Sequence, residues 1–326
     1  VRAVVMTSYG SPPVLQPADV PSPPERAGWV TVRLAASALN WHDVLVRQGR
    51  YRSPLPHVPG ADGAGVRVDT NEAVVVLPSL FWGGGDAAPG TGWEILGDHH
   101  PGTYAELVSV PAECAVPRPR GLSLAEAAAL PLVGVTTFRA LFSRGRLRSG
   151  ESLLVLGASG GVATTAVSLA TATGARVIVT SGARHKIDAA RDLGATDGVD
   201  HSAADWVEAA RALTPGGAGF DLVLDSVGRW EESVRCLAPG GRCVVLGANA
   251  AQRASLPIRP FYFGQYELIG TTMGSLRDMA GLLRFLDDHK VAPPVIDRTF
   301  PLAEAALAHE RLEAGAAFGK IVLTHD

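Results

Sequence analysis

The segment Ser152-Leu-Leu-Val-Leu-Gly-Ala-Ser-Gly-Gly-Val-Ala163 sets a short apolar run directly before a glycine turn and a stretch of small residues. A strand feeding such a turn, with a helix opening after it, aims backbone N–H groups and the positive end of the helix dipole at one spot. That spot suits a pyrophosphate, which makes Ser159, Gly160, Gly161 and Val162 candidate phosphate-binding residues of a dinucleotide site. Gly160 lets the backbone approach the phosphates, and Ala163 is small enough for close helix–strand packing. Ala158 stands where the first glycine of the GxGxxG pattern would fall. Glycine turns also serve packing alone in α/β proteins; the strand–turn–helix context favours the dinucleotide.

The choice of dinucleotide is made roughly 20 residues further on, where NAD-binding versions end their second strand in an Asp or Glu that holds the ribose 2′-hydroxyl. Here the chain runs Thr180-Ser-Gly-Ala-Arg-His-Lys186, and no carboxylate appears before Asp188, inside the following helix. A hydroxyl and two cations suit a phosphate, so the expected cofactor is NADPH, held by Ser181, Arg184 and Lys186. The bland alternative is a solvated basic helix start.

These residues need a scaffold, and the middle of the chain supplies its rhythm. Apolar strands are predicted at 152–156, 176–180, 221–225 and 243–246, with 266–270 as a further candidate, and helices at 162–172 and 186–193. Strands alternating with helices imply an α/β, doubly wound parallel sheet of the Rossmann kind. The first 118 residues are instead β-rich, with strands at 1–6, 29–35, 66–68, 73–77 and 104–110. Pro12, Pro13, Pro17, Pro21, Pro23 and Pro24 break the stretch after the first strand, and the Gly-rich segment 81–102 is a long surface loop. The tail returns to a mixed pattern, with helices at 276–289 and 303–314 and strands at 295–300 and 320–324.

At 326 residues the chain is long enough for two domains. Its net charge of −3 gives no reason to expect nucleic acid or an anionic membrane as partner. Cys114, Cys236 and Cys243 form no CxxC pair and so no disulfide or zinc-ribbon framework. With no apolar run of the ~18–20 residues that span a bilayer, and residues 1–9 patterned as a strand rather than a signal peptide, a cytoplasmic protein is expected.

The order of these motifs resembles the medium-chain dehydrogenase/reductase superfamily nearly end to end. Ala158-Ser-Gly-Gly-Val162, Ala38-Leu-Asn-Trp-His-Asp43, Gly49-Arg-Tyr-Arg-Ser-Pro-Leu-Pro56 and Phe318-Gly-Lys-Ile-Val322 are similar to the quinone oxidoreductase branch. The resemblance implies a GroES-like catalytic domain made of 1–118 and 262–326. A Rossmann NADPH-binding domain, 119–261, would be inserted between those pieces, with nicotinamide and substrate in the cleft. It also implies cofactor contacts at Thr136, Val227, Gly247, Phe318 and Lys320, with His201 toward the adenosine; packing would explain several of them as well. Zinc-dependent members carry Cys-x-x-Asp and Gly-His-Glu, where this chain has Asn40-Trp-His-Asp43 and Gly60-Ala-Asp62. The segment matching their structural zinc lobe, 81–102, has no cysteine, and His42, His57, His99 and His100 follow no ligand spacing. No metal is expected.

Without a Lewis acid to polarise a carbonyl, the implied substrates spread incoming negative charge themselves: quinones and α,β-unsaturated carbonyls. Asn40, at the former ligand position, would donate to a substrate oxygen or orient the nicotinamide. Tyr51 matches a tyrosine that serves as candidate proton donor in quinone and enoyl-thioester reductases, and a phenol of pKa ~10 is protonated at neutral pH. His42 is the alternative proton carrier. Two further functions stay open: an enoyl-thioester reductase, and a non-catalytic NADPH-binding sensor or structural protein. A homodimer is expected from the apolar edge at 266–270.

Overall fold

A computed structural model describes residues 1–325. The chain divides into two compact units, one of Val1–Val135, Gly274–Leu283 and the tail from Pro293, the other of Thr136–Met273 and Arg284–Ala292.

In the first unit β1 (Arg2–Met6) pairs antiparallel with β2 (Leu15–Asp19). The prolines of this stretch argue against β2 in the sequence. Pro17 is nonetheless tolerated in a two-stranded sheet, where both strands are edges. The long strand β3 (Trp29–Ala38) leads into α1 (Trp41–Arg47), a short helix with no expected counterpart in the sequence pattern. β4 (Asp62–Arg67) and β5 (Ala73–Val76) continue the main sheet, while β6 (Ser79–Leu80) and β7 (Glu94–Ile95) pair with each other and close the base of the Gly-rich loop. β8 (Leu107–Pro111), β9 (Ala115–Pro117) and α2 (Leu124–Ala128) follow, then α3 (Pro131–Phe138). The register of β3 on β4 shifts between Leu34 and Ala36, and at that bulge a Cβ on Gly65 would collide with the Arg33 carbonyl oxygen.

In the second unit β10 (Ser152–Val155), α4 (Gly161–Thr173), β11 (Arg176–Thr180), α5 (Arg184–Asp192), β12 (Asp197–Val199), α6 (Trp206–Ala212), β13 (Phe220–Asp225), α7 (Trp230–Arg235) and β14 (Leu237–Val245) alternate, with the three-residue β12 an addition to the strands expected from the pattern. α8 (Ile258–Phe263) and β15 (Glu267–Gly270) complete it. The sheet is parallel in the order β12-β11-β10-β13-β14-β15. The central strands are buried on both faces, which is why they read as continuous apolar runs. The winding direction reverses between β10 and β13, the topological switch point where ligands bind in such sheets.

The tail supplies α9 (Leu276–His289), β16 (Ile296–Pro301), α10 (Ala305–Glu313) and β17 (Lys320–Thr324). β16 and β17 join the main sheet of the first unit, ordered β16-β17-β3-β4-β5-β9 with β8 also on β3. Ile321 and Leu323 of β17 and Ala305 and Ala308 of α10 share one core with Val4, Met6 and Val46. The compact units part at Val135 and Met273, not at the 118 and 261 drawn from the motifs. α2 packs on β3 and β4, and β15 is hydrogen-bonded into the parallel sheet.

Candidate active site

In the second unit the glycine turn and the strand ends gather at the carboxyl edge of the parallel sheet. Ser159–Val162 follow β10, Ser181–Lys186 follow β11, and His201, Val227 and Gly247 follow β12, β13 and β14. Gly157 sits at φ +92°, and a Cβ placed on either Gly157 or Gly160 would meet no atom within 4 Å. Open space therefore faces the turn. No side chain caps α4, so the first-turn N–H groups are left for a ligand. These residues fit a dinucleotide pyrophosphate.

The turn is tied to the neighbouring strand by Thr180, whose Oγ1 accepts the Gly157 N–H at 3.0 Å. His201 Nδ1 lies 3.2 Å from the same oxygen. Burial and the charge of Arg229 lower the His201 pKa. Arg229 precedes α7, right after the strand-end turn Asp225-Ser-Val-Gly228. That turn is shaped by buried Asp225, which accepts the N–H groups of Val227, Gly228 and Arg229.

Ser181 Oγ accepts the Ala183 N–H at 3.1 Å and so shapes the entry into α5. Arg184 pairs with Asp188 one helical turn on, Nε to Oδ1 3.1 Å, with both side chains exposed. Such a pair is worth only ~0.3–0.5 kcal/mol, so an incoming phosphate can recruit Arg184. Lys186 is half-buried on the same first turn. Two other candidates have structural duties: the Thr136 hydroxyl is directed at Met273 Sδ, and Gly247 lets its strand end pass the Ser226 carbonyl oxygen, where a Cβ would collide.

In the first unit Asn40 ends β3's run and opens α1. Its backbone N–H donates to Asp43 Oδ2 at 2.8 Å, a side chain reaching back over the helix start. The Asn40 amide is engaged throughout. Nδ2 donates to Asp62 Oδ2 (2.9 Å) and the Ala38 carbonyl (3.3 Å), and Oδ1 accepts from Lys320 Nζ at 2.5 Å. Lys320 also meets Asp62 Oδ2 at 3.0 Å, and all three residues are buried. Asp62 Oδ1 accepts the Leu132 N–H, which caps the start of α3. Asn40 and Lys320 are thus each held by the other and by Asp62. Phe318, two residues before Lys320, donates its N–H to Asp297.

His42 and Tyr51 do come together, their rings 4.7 Å apart and tilted by 57°. His42 Nε2 is buried and has no hydrogen-bond partner among the described residues. Burial pushes its pKa down to about 4. Tyr51 remains partly exposed, and burial with the nearby Asp98 charge raises its phenol pKa. Asp43, also on α1, is pushed up to about 7 by complete burial, against the hydrogen bond from Asn40 and the charge of Lys320.

Trp82 and Trp93 pack edge to face within the Gly-rich loop, and Phe81 packs with Trp29 and His100. Among the described residues no three His, Cys, Asp or Glu side chains form a metal-holding group. No helix among them is long and apolar enough to cross a membrane.

A doubly wound nucleotide-type sheet with an open glycine turn, joined in sequence to a GroES-like β unit, defines a class of two-domain oxidoreductases. The alcohol dehydrogenase GroES-like domain matches residues 26–120, and the zinc-binding dehydrogenase family matches 161–288. The chain belongs to the medium-chain dehydrogenase/reductase superfamily. It is 31% identical to a 2-methylene-furan-3-one reductase of Solanum lycopersicum, over 99% of this chain and 79% of that one. It is 29% identical to a quinone oxidoreductase of Rattus norvegicus, over 99% and 97%. A crystal structure of an NAD-dependent alcohol dehydrogenase matches with TM-score 0.92 and 38% identity over 100% of both chains.

Proposed function

We propose that this protein is a zinc-independent, NADPH-dependent reductase of quinones or α,β-unsaturated carbonyls. The observation that carries this reading is the buried Asn40–Lys320–Asp62 network. At the two positions where zinc-dependent relatives place Cys and His ligands, this chain has an amide clamped by an ammonium and the methyl of Ala61. A fixed ammonium beside that amide repels a dication, and neither an engaged amide nor a methyl supplies the N, S or O donors that zinc needs.

Ser159–Val162 and the open start of α4 would hold the pyrophosphate, and Ser181, Arg184 and Lys186 the 2′-phosphate. When bound, the dinucleotide supplies the hydride. Tyr51 holds the proton the reduced substrate needs, and the neutral His42 beside it orients the phenol or passes a proton along. The quinone and furanone reductases among the relatives support this substrate class; an alcohol dehydrogenase at 38% identity is the opposing consideration.

The test is steady-state turnover with 1,4-quinones, enones, crotonyl thioester and simple alcohols, in wild type and Tyr51→Phe. Enone turnover should fall about 10²-fold in the variant, and quinone turnover less, because a hydroquinone anion can take its proton from water. Dominant thioester activity would redirect the assignment to an enoyl reductase, and robust oxidation of simple alcohols would overturn it.

A further inference from the structure

The first unit holds a cavity of about 350 Å³ that none of Asn40, His42 or Tyr51 lines. This lies within the ~300–1,000 Å³ range of small-molecule pockets. Its walls are apolar and stiff. Trp29, Val58 and Leu107 meet Pro54, Pro56 and Pro101 there, and the proline rings fix the backbone on which they sit. A pocket with such walls is preformed, so little ordering cost falls on binding.

Arg26 is its one fixed charge. His57, whose pKa burial lowers, His99 and His100 also line it, and no Asp or Glu does. Two acids of the adjoining loop, Glu94 and Asp98, are already engaged. Glu94 is paired with His100 and lies 3.7 Å from His99 Nδ1, while Asp98 approaches His99 at 3.7 Å and accepts from Ser53 Oγ at 3.3 Å. The Arg26 guanidinium carbon stands 5.1 Å from the centre of the Trp29 ring, and the His100 ring lies 5.1 Å from that ring at a shallow 30°. A flat apolar body fits among Trp29, His100 and the prolines, and an anionic group meets Arg26 at the exposed rim.

We propose that this cavity binds a small aromatic carboxylate, at a site distinct from the candidate active site. A neutral quinone would leave Arg26 unused, and a metal cation would face a cationic rim. The proposal also gives the Gly-rich loop a role, because its end, His99 to Gly102, forms part of the wall.

The test is calorimetric titration of the full chain with benzoate and with its neutral counterpart benzamide. A charge-assisted contact at an exposed rim is weakened by solvent, so benzoate should bind about three- to tenfold tighter than benzamide. Arg26→Gln should erase that preference while leaving benzamide binding unchanged. Ser22→Trp, at the exposed rim, should block both ligands; neither substitution touches the core, and both variants should melt like wild type. Saturating NADPH should not displace the acid. The proposal fails if benzoate shows no saturable binding up to about 10 mM, the weak end of measurable affinity. It fails equally if the Arg26 variant keeps the preference, or if NADPH or the reducible substrate competes with the acid.

Discussion

His42 is neutral well below physiological pH, because burial holds its pKa at about 4. Tyr51, displaced upward, keeps its proton far above neutrality. Turnover on an enone should therefore show no titration of His42 between about pH 5 and 8; a break near 6.5 that persists in Asp43→Asn, which removes the neighbouring group held at about 7, would mean that His42 is solvated during the reaction. His42→Gln should cost less than Tyr51→Phe, and the reverse order would make the imidazole the proton carrier. The closeness of Tyr51 and His42 was legible in sequence because they sit on one short motif-bearing stretch. The duty of Asn40 was not, since its partner Lys320 lies 280 residues away and spacing cannot report such a contact. Removing Lys320 leaves the buried Asp62 carboxylate uncompensated, a loss of about 3–5 kcal/mol in comparable sites. Lys320→Met should lower the melting temperature sharply, and adding Asp62→Asn should restore much of it. Equal melting of the single and double variants would show that the pair is not electrostatically coupled.

At the level of elements, alternation of strand and helix made the parallel sheet readable, because strands buried on both faces are marked by composition alone. Elements held by tertiary contacts were harder. β2 survives its proline only through pairing with β1, and α1 is a short helix whose start is fixed by Asp43. The Gly-rich loop gives no periodic signal, yet the β6–β7 pair closes it. The glycine turn and the end of β11 act as one element through the Gly157–Thr180 hydrogen bond, and that coupling separates two kinds of variant. Thr180→Val removes an acceptor that shapes the turn, so affinity for NADPH and NADH should fall alike, by about three- to tenfold for a bond of ~0.5–1.5 kcal/mol. Arg184→Ala with Lys186→Ala should weaken NADPH by ten- to a hundredfold or so, after allowance for exposure, and leave NADH nearly unchanged. Fluorescence titration of both cofactors against both variants reads the difference. Parallel losses in the double variant would remove α5 from phosphate recognition.

For the whole molecule, buried titratable groups set the response to acid. Below 6.5 the unfolded chain takes up protons that His42, held at about 4, and His309, held at about 3 by burial and the Arg47 charge, refuse when folded. Stability is lost as pH falls through that window. Asp43 works in the opposite sense: raised from 3.8 to about 7, its contribution is present below 3.8 and lost as pH rises through 7. Two groups oppose one, so the melting temperature should drop between about pH 6.5 and 4. His309→Gln should flatten that drop, and an unchanged slope would mean that His309 is protonated in the fold.

Assembly is the other property at this scale. β15 is an outer strand of the parallel sheet, an edge that proteins cover or pair. α8, which leads into it, exposes Ile258 at 81% and Phe263 at 68%, with Tyr262 beside them. A two-fold pairing of this edge with a second copy would bury those side chains together with the strand, at the scale of ~800 Å² per partner found in stable interfaces. The chain should therefore run as a dimer in light scattering at micromolar concentration. Ile258→Glu with Phe263→Glu should give a monomer that still folds, because both side chains already face water in the single chain. A monomeric mass for the wild type, or a dimer that survives both charges, would place the interface elsewhere or remove it.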